Sequence, residues 1–175
     1  MTETIKPIQT RYKGYNFRSR TEARWAVFFD ALNVKFQYEP EGFELKNRVW
    51  YLPDFYVDNF FGTGGYFEVK PASEPSQEDL DKLELLYEAT DSYVFLLNGP
   101  PDFKYYRAFT DKHRWGAEEA IWASVLLCAS EAIGFDHRYE DLLPAGKEHI
   151  PERGIKTTFA KCYIAAVNAS RAARF

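Results

Sequence analysis

Asp54, Glu68 and Lys70 are the residues of this 175-residue chain whose types and spacing best suit catalysis. They sit in two short strings, Tyr51-Leu52-Pro53-Asp54-Phe55 and Gly65-Tyr66-Phe67-Glu68-Val69-Lys70. Both strings read as strands, and in a strand alternate residues share a face. Glu68 and Lys70 therefore point one way, Phe67 and Val69 the other. Gly62-Thr63-Gly64-Gly65 is a turn signal, and a hairpin across it brings Asp54 near Glu68. Two carboxylates in a half-buried sheet repel each other and lose hydration. A divalent cation would relieve both effects. Clustered oxygens without Cys or His suit Mg²⁺ or Mn²⁺ rather than Zn²⁺, and Mg²⁺ needs only one or two carboxylates. A lysine beside such an ion can orient an attacking water and offset charge on a phosphorane-like transition state.

The elements that must position these residues are legible around them. Ser19 caps a helix expected from Arg20 to Leu32, and Glu22 three residues on completes a capping box. Trp25, Phe28, Phe29 and Leu32 fall on one face of that helix, Arg20 and Arg24 on the other. Strands are expected at Lys35–Tyr38, Gly42–Leu45, Val49–Val57 and Gly65–Lys70. Pro71 and Pro75 break the chain. Ser76 then opens a helix to Thr90, with Leu80, Leu83 and Tyr87 at core spacing. Tyr93–Leu97 reads as a buried strand, and Phe103–Phe109 as another. Beyond them, Glu118–Ile133 reads as a buried helix, Phe135–Gly154 as loop and Thr157–Ala173 as a helix. The expected fold is α/β: a mixed four- to five-stranded sheet flanked by helices, with extra C-terminal helices. The expected division is a core over residues 1–110 and a helical extension over 111–175 packed on it.

The ordered set resembles the PD-(D/E)XK nuclease superfamily. Pro53-Asp54 followed by Glu68-Val69-Lys70 looks like its motif, and Glu22 in Arg20-Thr21-Glu22-Ala23-Arg24-Trp25 sits where members carry a glutamate on the first core helix. The succession of helix, Phe36-Gln37-Tyr38-Glu39-Pro40, then the two strings above is similar to phage junction-resolving and transposase-type endonucleases. The resemblance spans about residues 15–98. It implies a restriction-endonuclease-like αβββαβ core and a Mg²⁺- or Mn²⁺-dependent DNA endonuclease, structure-selective for junctions or branches. It implies metal ligation by Asp54, Glu68 and the Val69 carbonyl, with Glu22 auxiliary, and water positioning by Lys70. DNA is the implied partner, a homodimer the form expected of a junction resolver, and a bacterial or phage-infected cell the setting. Pro71 directly after the lysine departs from the pattern. So does the following helix, whose only glutamine, Gln77, lies at its start.

Composition bounds these readings. Aromatic residues make up 18% of the chain, which argues against long disorder. The longest apolar run, Ala120 to Ala129, is too short to span a bilayer. There is no signal-peptide pattern at the N-terminus, and Cys128 and Cys162 form no CxxC pair, so a reducing cytoplasm is expected. Net charge is −4, which by itself disfavours a general nucleic-acid binder. Its distribution differs: residues 1–35 carry seven basic against three acidic side chains, and 145–175 six against two. Arg11, Lys13, Arg18, Arg20 and Arg24 precede the site and are the candidate phosphate contacts. Tyr12, Tyr15 and Phe17 interleave them as candidate stacking residues or core. His113, His137 and His149 show no ligand spacing.

Each residue also has a plain structural use. Glu22 can serve only the capping box, Asp54 only a turn after Pro53, and Glu68 with Lys70 only an exposed edge-strand pair. The basic residues can be solvated helix faces. A nuclease-like fold used for binding or inhibition, without catalysis, is the rival from another class, and RNA cleavage is a third reading.

Overall fold

A two-residue turn opens the fold. Lys13 and Gly14 both adopt positive φ (45° and 89°), the geometry that matches strand twist in tight hairpins, and fold β1 (Thr10–Tyr12) onto β2 (Tyr15–Phe17). This hairpin was not among the expected elements. The structure, a computed structural model, describes residues 7–46, 48–58, 64–102, 106–109, 123–125 and 161–175.

Helix α1 (Arg20–Ala31) follows, with Ser19 Oγ accepting from the Glu22 amide as its N-cap. Its expected apolar face is buried: Trp25, Phe28 and Phe29, joined by Ala23, Ala26 and Val27. Two-residue strands β3 (Gln37–Tyr38), β4 (Phe43–Glu44) and β5 (Trp50–Tyr51) come next. The single strand expected over Val49–Val57 is instead two, β5 and β6 (Phe55–Val57). Pro53 interrupts it, because a proline offers no amide to a ladder. That break leaves Asp54 at the mouth of β6. Strand β7 (Gly65–Lys70), helix α2 (Gln77–Thr90) and strand β8 (Tyr93–Asn98) match expectation closely. Strands β9 (Tyr106–Phe109) and β10 (Ala123–Val125) and helix α3 (Lys161–Ala172) complete the described elements.

The fold is α/β, built on one mixed sheet in the order β10-β9-β8-β7-β6-β3. Only β7 and β8 run parallel, joined through α2; every other neighbour pair is antiparallel. The four strands β3, β6, β7 and β8 fall within the expected count, and β9 and β10 carry the sheet to six. Strand β10 corrects the helix expected at Glu118–Ile133. An apolar run of this kind does not distinguish buried strand from buried helix by periodicity. The rest of that run, the loop at Phe135–Gly154, Cys128 and the three histidines lie outside the described residues.

Strand alternation sorts the core into two layers. Phe55, Val57, Phe67, Phe95 and Leu97 face α1 and α3, where they pack with Trp25, Phe28, Phe29, Tyr163, Ala166 and Val167. Tyr66, Val94 and Leu96 face α2 and pack on Leu83 and Leu86. α3 lies along α1, with Tyr163 edge-on to Phe28 at 5.3 Å. The Tyr163 hydroxyl donates to the Asp102 carbonyl (2.7 Å), and Arg171 pairs with the Asp102 carboxylate. Trp25 Nε1 donates to the Gly99 carbonyl at 2.9 Å, which ties α1 to the turn after β8. Among the described residues, no helix is long and apolar enough to cross a membrane.

Candidate active site

The hairpin register decides what meets at the sheet's end. Phe55 pairs with Phe67 across β6 and β7, so one step further along the hairpin Asp54 stands beside Glu68. The Val69 amide then donates to Asp54 Oδ2 at 2.7 Å. This bond fixes the aspartate on β7 rather than leaving it as a free turn residue. Asp54 is 2% exposed, and Glu68 and Glu22 are each 6% exposed. Three buried acids in one corner are costly unless compensated. Burial holds the Asp54 carboxyl well above the usual range, and the charges of Glu68 and then Glu22 push it further. Burial raises Glu68 as well, although the neighbouring Lys70 offsets part of that.

Each acid is compensated differently. Lys70 Nζ lies 3.0 Å from Glu68 Oε1 and 3.1 Å from Asp79 Oδ1. Burial alone would favour neutral lysine, but the Glu68 and Asp79 carboxylates hold its pKa above the ordinary value, so it is an ammonium. Asp79 is itself part of the complete capping box that Ser76 makes at the start of α2, and the helix thereby delivers an acid to the lysine. Arg18 Nη2 reaches Asp54 Oδ1 at 2.5 Å, and its Nε reaches Glu39 Oε1 at 2.8 Å. Glu22 accepts from Ser19 Oγ (2.7 Å), from the Arg18 amide (3.0 Å) and from the Tyr38 hydroxyl (2.6 Å). The expected capping box is thus only half formed. The Glu22 carboxylate takes the Arg18 amide and Ser19 hydroxyl, reaching past the cap toward the site.

Glu68 Oε2 and the Tyr51 hydroxyl are both buried, and neither has a partner in strict hydrogen-bond geometry. The two groups face each other: after burial, the Glu68 charge and a hydrogen bond to Glu68 push the Tyr51 hydroxyl far above its ordinary pKa, and the same bond favours ionised Glu68. The Tyr51 hydroxyl is the donor that faces this oxygen, and buried polar groups are ordinarily satisfied in this way. Among the described residues, no group of three or more His, Cys, Asp and Glu side chains has the spacing to hold a metal. Asp54 and Glu68 are the closest carboxylate pair of the corner, with Glu22 held back on the N-terminus of α1. Val69 sits between the two functional residues of β7, giving its amide to Asp54.

The structure thus brings Glu22, Asp54, Glu68 and Lys70 into one corner. It places the candidate phosphate contacts unevenly. Arg11 and Arg20 are exposed and Arg24 is half-buried. Lys13 pairs with Asp30 at 3.0 Å, and Arg18 is turned onto Asp54 and Glu39. Phe17 is fully buried and is core. Pro71, the departure after Lys70, simply ends β7: the Lys70 carbonyl accepts from the Gly99 amide at 2.8 Å. Sequence reasoning missed Tyr38, Tyr51 and Glu39 as parts of the site. Tyr38 and Glu39 lie in the Phe36–Pro40 string already singled out, so their position carried the signal. Asp79 carries no sequence signal beyond being an acid in the first turn of α2.

Comparison of the chain with protein-family models, curated proteins and solved structures finds no match.

The raised carboxyls make a pH prediction. A folded-state pKa above the unfolded value means that the native state holds more protons than the unfolded one. The contribution of Asp54 and Glu68 to stability is then fully present below the unfolded carboxylate values, about pH 4. It is lost as pH rises through their raised folded values. A divalent cation binds the ionised form and reverses that loss. In melts with and without Mg²⁺, the cation's gain in Tm should be near zero at about pH 4 and grow toward neutrality. Asp54→Asn should flatten this dependence. A gain independent of pH would contradict the assignment.

Proposed function

We propose that the chain is a divalent-metal-dependent DNA endonuclease of the PD-(D/E)XK kind. The observation that carries the reading is the buried Asp54–Glu68 pair, with the Lys70 ammonium 3.0 Å from Glu68 Oε1. Setting aside the separate β4–β5 hairpin between β3 and β6, the main sheet and its helices run α1-β3-β6-β7-α2-β8, with Asp54 before β6 and Glu68 and Lys70 on β7, which supports the αβββαβ core that the resemblance implies.

Asp54 and Glu68 would hold the ion, with the Val69 carbonyl as a further oxygen. Bound Mg²⁺ or Mn²⁺ supplies charge against the phosphoryl oxygens and acidifies water. Lys70, fixed between Glu68 and Asp79, orients that water and stabilises negative charge as it develops. Glu22 and Tyr38 lock the start of α1 against β3, and Arg18 offsets part of the Asp54 charge. Exposed Arg11 and Arg20 would contact phosphates flanking the cut.

One observation favours a second reading, a binding or inhibitor protein without catalysis: Arg18 already occupies Asp54 Oδ1. Incubation of supercoiled plasmid, branched DNA, single-stranded DNA and RNA with Mg²⁺ or Mn²⁺, against EDTA, separates the two. The nuclease reading expects DNA cleavage that needs the cation. No cleavage of any substrate, or cleavage undiminished in EDTA, overturns it, and preference for RNA moves the substrate class.

A further inference from the structure

Arg18 joins a fixed backbone to an exposed head. It stands between Phe17, which is fully buried, and Ser19, the N-cap of α1. Its amide donates to Glu22 Oε2 (3.0 Å) and to the Tyr38 hydroxyl oxygen (3.1 Å). Those contacts hold the main chain against α1 and β3. The side chain is different. It is 53% exposed, whereas the Asp54 side chain that it meets is 3% exposed. The guanidinium thus lies at the mouth of the corner with solvent on one side. Two carboxylates hold it at two separate nitrogens: Asp54 Oδ1 at Nη2 (2.5 Å) and Glu39 Oε1 at Nε (2.8 Å). Glu39 is the outer of the two, and its own amide donates to the Asp54 carbonyl at 2.9 Å, which fixes it beside the aspartate.

The two oxygens of Asp54 are used differently. Oδ2 accepts from the Val69 amide at 2.7 Å and is tied to β7. Oδ1 is the oxygen that β7 does not use, and Arg18 is on it. Mg²⁺ sits about 2.1 Å from a carboxylate oxygen; with the guanidinium nitrogen 2.5 Å from the same atom, the two cations would lie less than about 5 Å apart. Charges in a buried corner are poorly screened, so the ion and the arginine exclude each other from Oδ1. The arginine is the one that can give way. It has solvent on one side, and it keeps the Glu39 carboxylate at Nε when Nη2 lets go.

We propose that Arg18 is a built-in counter-ion that seals Asp54 Oδ1 until a divalent cation displaces it, and that the displaced guanidinium stays at the rim of the site on Glu39. The inference rests on the cation site of the nuclease reading, but its test does not need cleavage. Mn²⁺ is titrated calorimetrically into the EDTA-stripped intact chain, Arg18→Gln and Lys35→Gln. The last removes an equal charge from an exposed position that none of these contacts involves. Arg18→Gln should bind Mn²⁺ more tightly on the order of 10-fold, within the usual range of coupling between two binding events, and Lys35→Gln should match the intact chain. In parallel, the intact chain is labelled with phenylglyoxal near neutral pH and read by peptide mass spectrometry, with exposed Arg20 as the internal reference. Mn²⁺ should raise the labelling of Arg18 several-fold relative to Arg20, and Asp54→Asn should raise it without the cation. The labelling uses the intact chain, so it decides the matter even where Arg18→Gln does not fold. Equal or weaker Mn²⁺ affinity in a folded Arg18→Gln variant, equal tightening in Lys35→Gln, or Arg18 labelling unchanged at saturating Mn²⁺ would overturn the inference and leave the nuclease reading standing. Mn²⁺ binding by Arg18→Gln but not by the intact chain would support the seal and sink the nuclease reading of the intact chain. Mn²⁺ uptake by neither would sink both.

Discussion

Lys70→Ala should lower the rate of phosphodiester cleavage by roughly 10²- to 10³-fold, the usual consequence of removing one preorganised electrostatic stabiliser. The ammonium lies between Glu68 and Asp79, whereas the other nearby cation, Arg18, is engaged by Asp54 and Glu39. The loss should fall on kcat rather than KM, since in the proposed reaction Lys70 would act on charge that appears only in the transition state. The substitution also leaves Glu68 buried without its counter-ion, which is destabilising. A melt run beside the kinetics separates the two effects: a folded Lys70→Ala protein with wild-type rate contradicts the role given to the lysine. Lys70→Arg should retain the fold better than the alanine variant and recover only part of the rate, because the planar guanidinium does not place its charge as an ammonium does.

Phe67→Ala should cost about 3–5 kcal/mol of stability, the range for a large aromatic deleted from a packed core. Phe67 is fully buried in β7, one residue before Glu68. It stacks on Phe95 at 4.8 Å and meets Phe29 of α1 edge-on at 5.3 Å. Its ring therefore joins the parallel strand pair to the helix that carries Glu22. A loss of that size corresponds to a Tm decrease of roughly 6–20 °C for a chain of this length. Activity per folded molecule should fall as well, because β7 is the element that holds both Glu68 and Lys70. A Tm within a degree or two of wild type would contradict the packing account.

The parts of the fold that were legible in sequence were those where a local signal and the global fold agree. Ser19 before an apolar helical stripe gave α1 to within a residue, and Ser76 with Asp79 gave α2. Gly65–Lys70 was legible because its alternation is continuous and its ends are punctuated by glycine and Pro71. The failures have physical causes. Lys13-Gly14 is a two-residue turn whose first member carries a side chain, so β1 and β2 lacked the usual glycine-rich signal. Pro53 split one expected strand into β5 and β6, because a missing amide outweighs apolar continuity. At the candidate site, the order of Glu22, Asp54, Glu68 and Lys70 was legible, and the meeting of Asp54 with Glu68 and Lys70 followed from one hairpin register. What sequence could not show is how the charges are divided. Arg18, read as a phosphate contact, is committed to Asp54 and Glu39. Glu22, read as an auxiliary ligand, is committed to Ser19, Tyr38 and the Arg18 amide. Those bonds depend on where side chains from separate elements arrive, and no local pattern records that.

The central claim is that Asp54 and Glu68 together form a cation site. Calorimetric titration of the EDTA-stripped, dialysed chain with Mn²⁺ near neutral pH tests it most directly. One saturable binding event is expected in the intact protein and should be abolished in Asp54→Asn, with far-UV circular dichroism unchanged. No heat of binding in the intact chain, or the same isotherm in a folded Asp54→Asn variant, would contradict the claim.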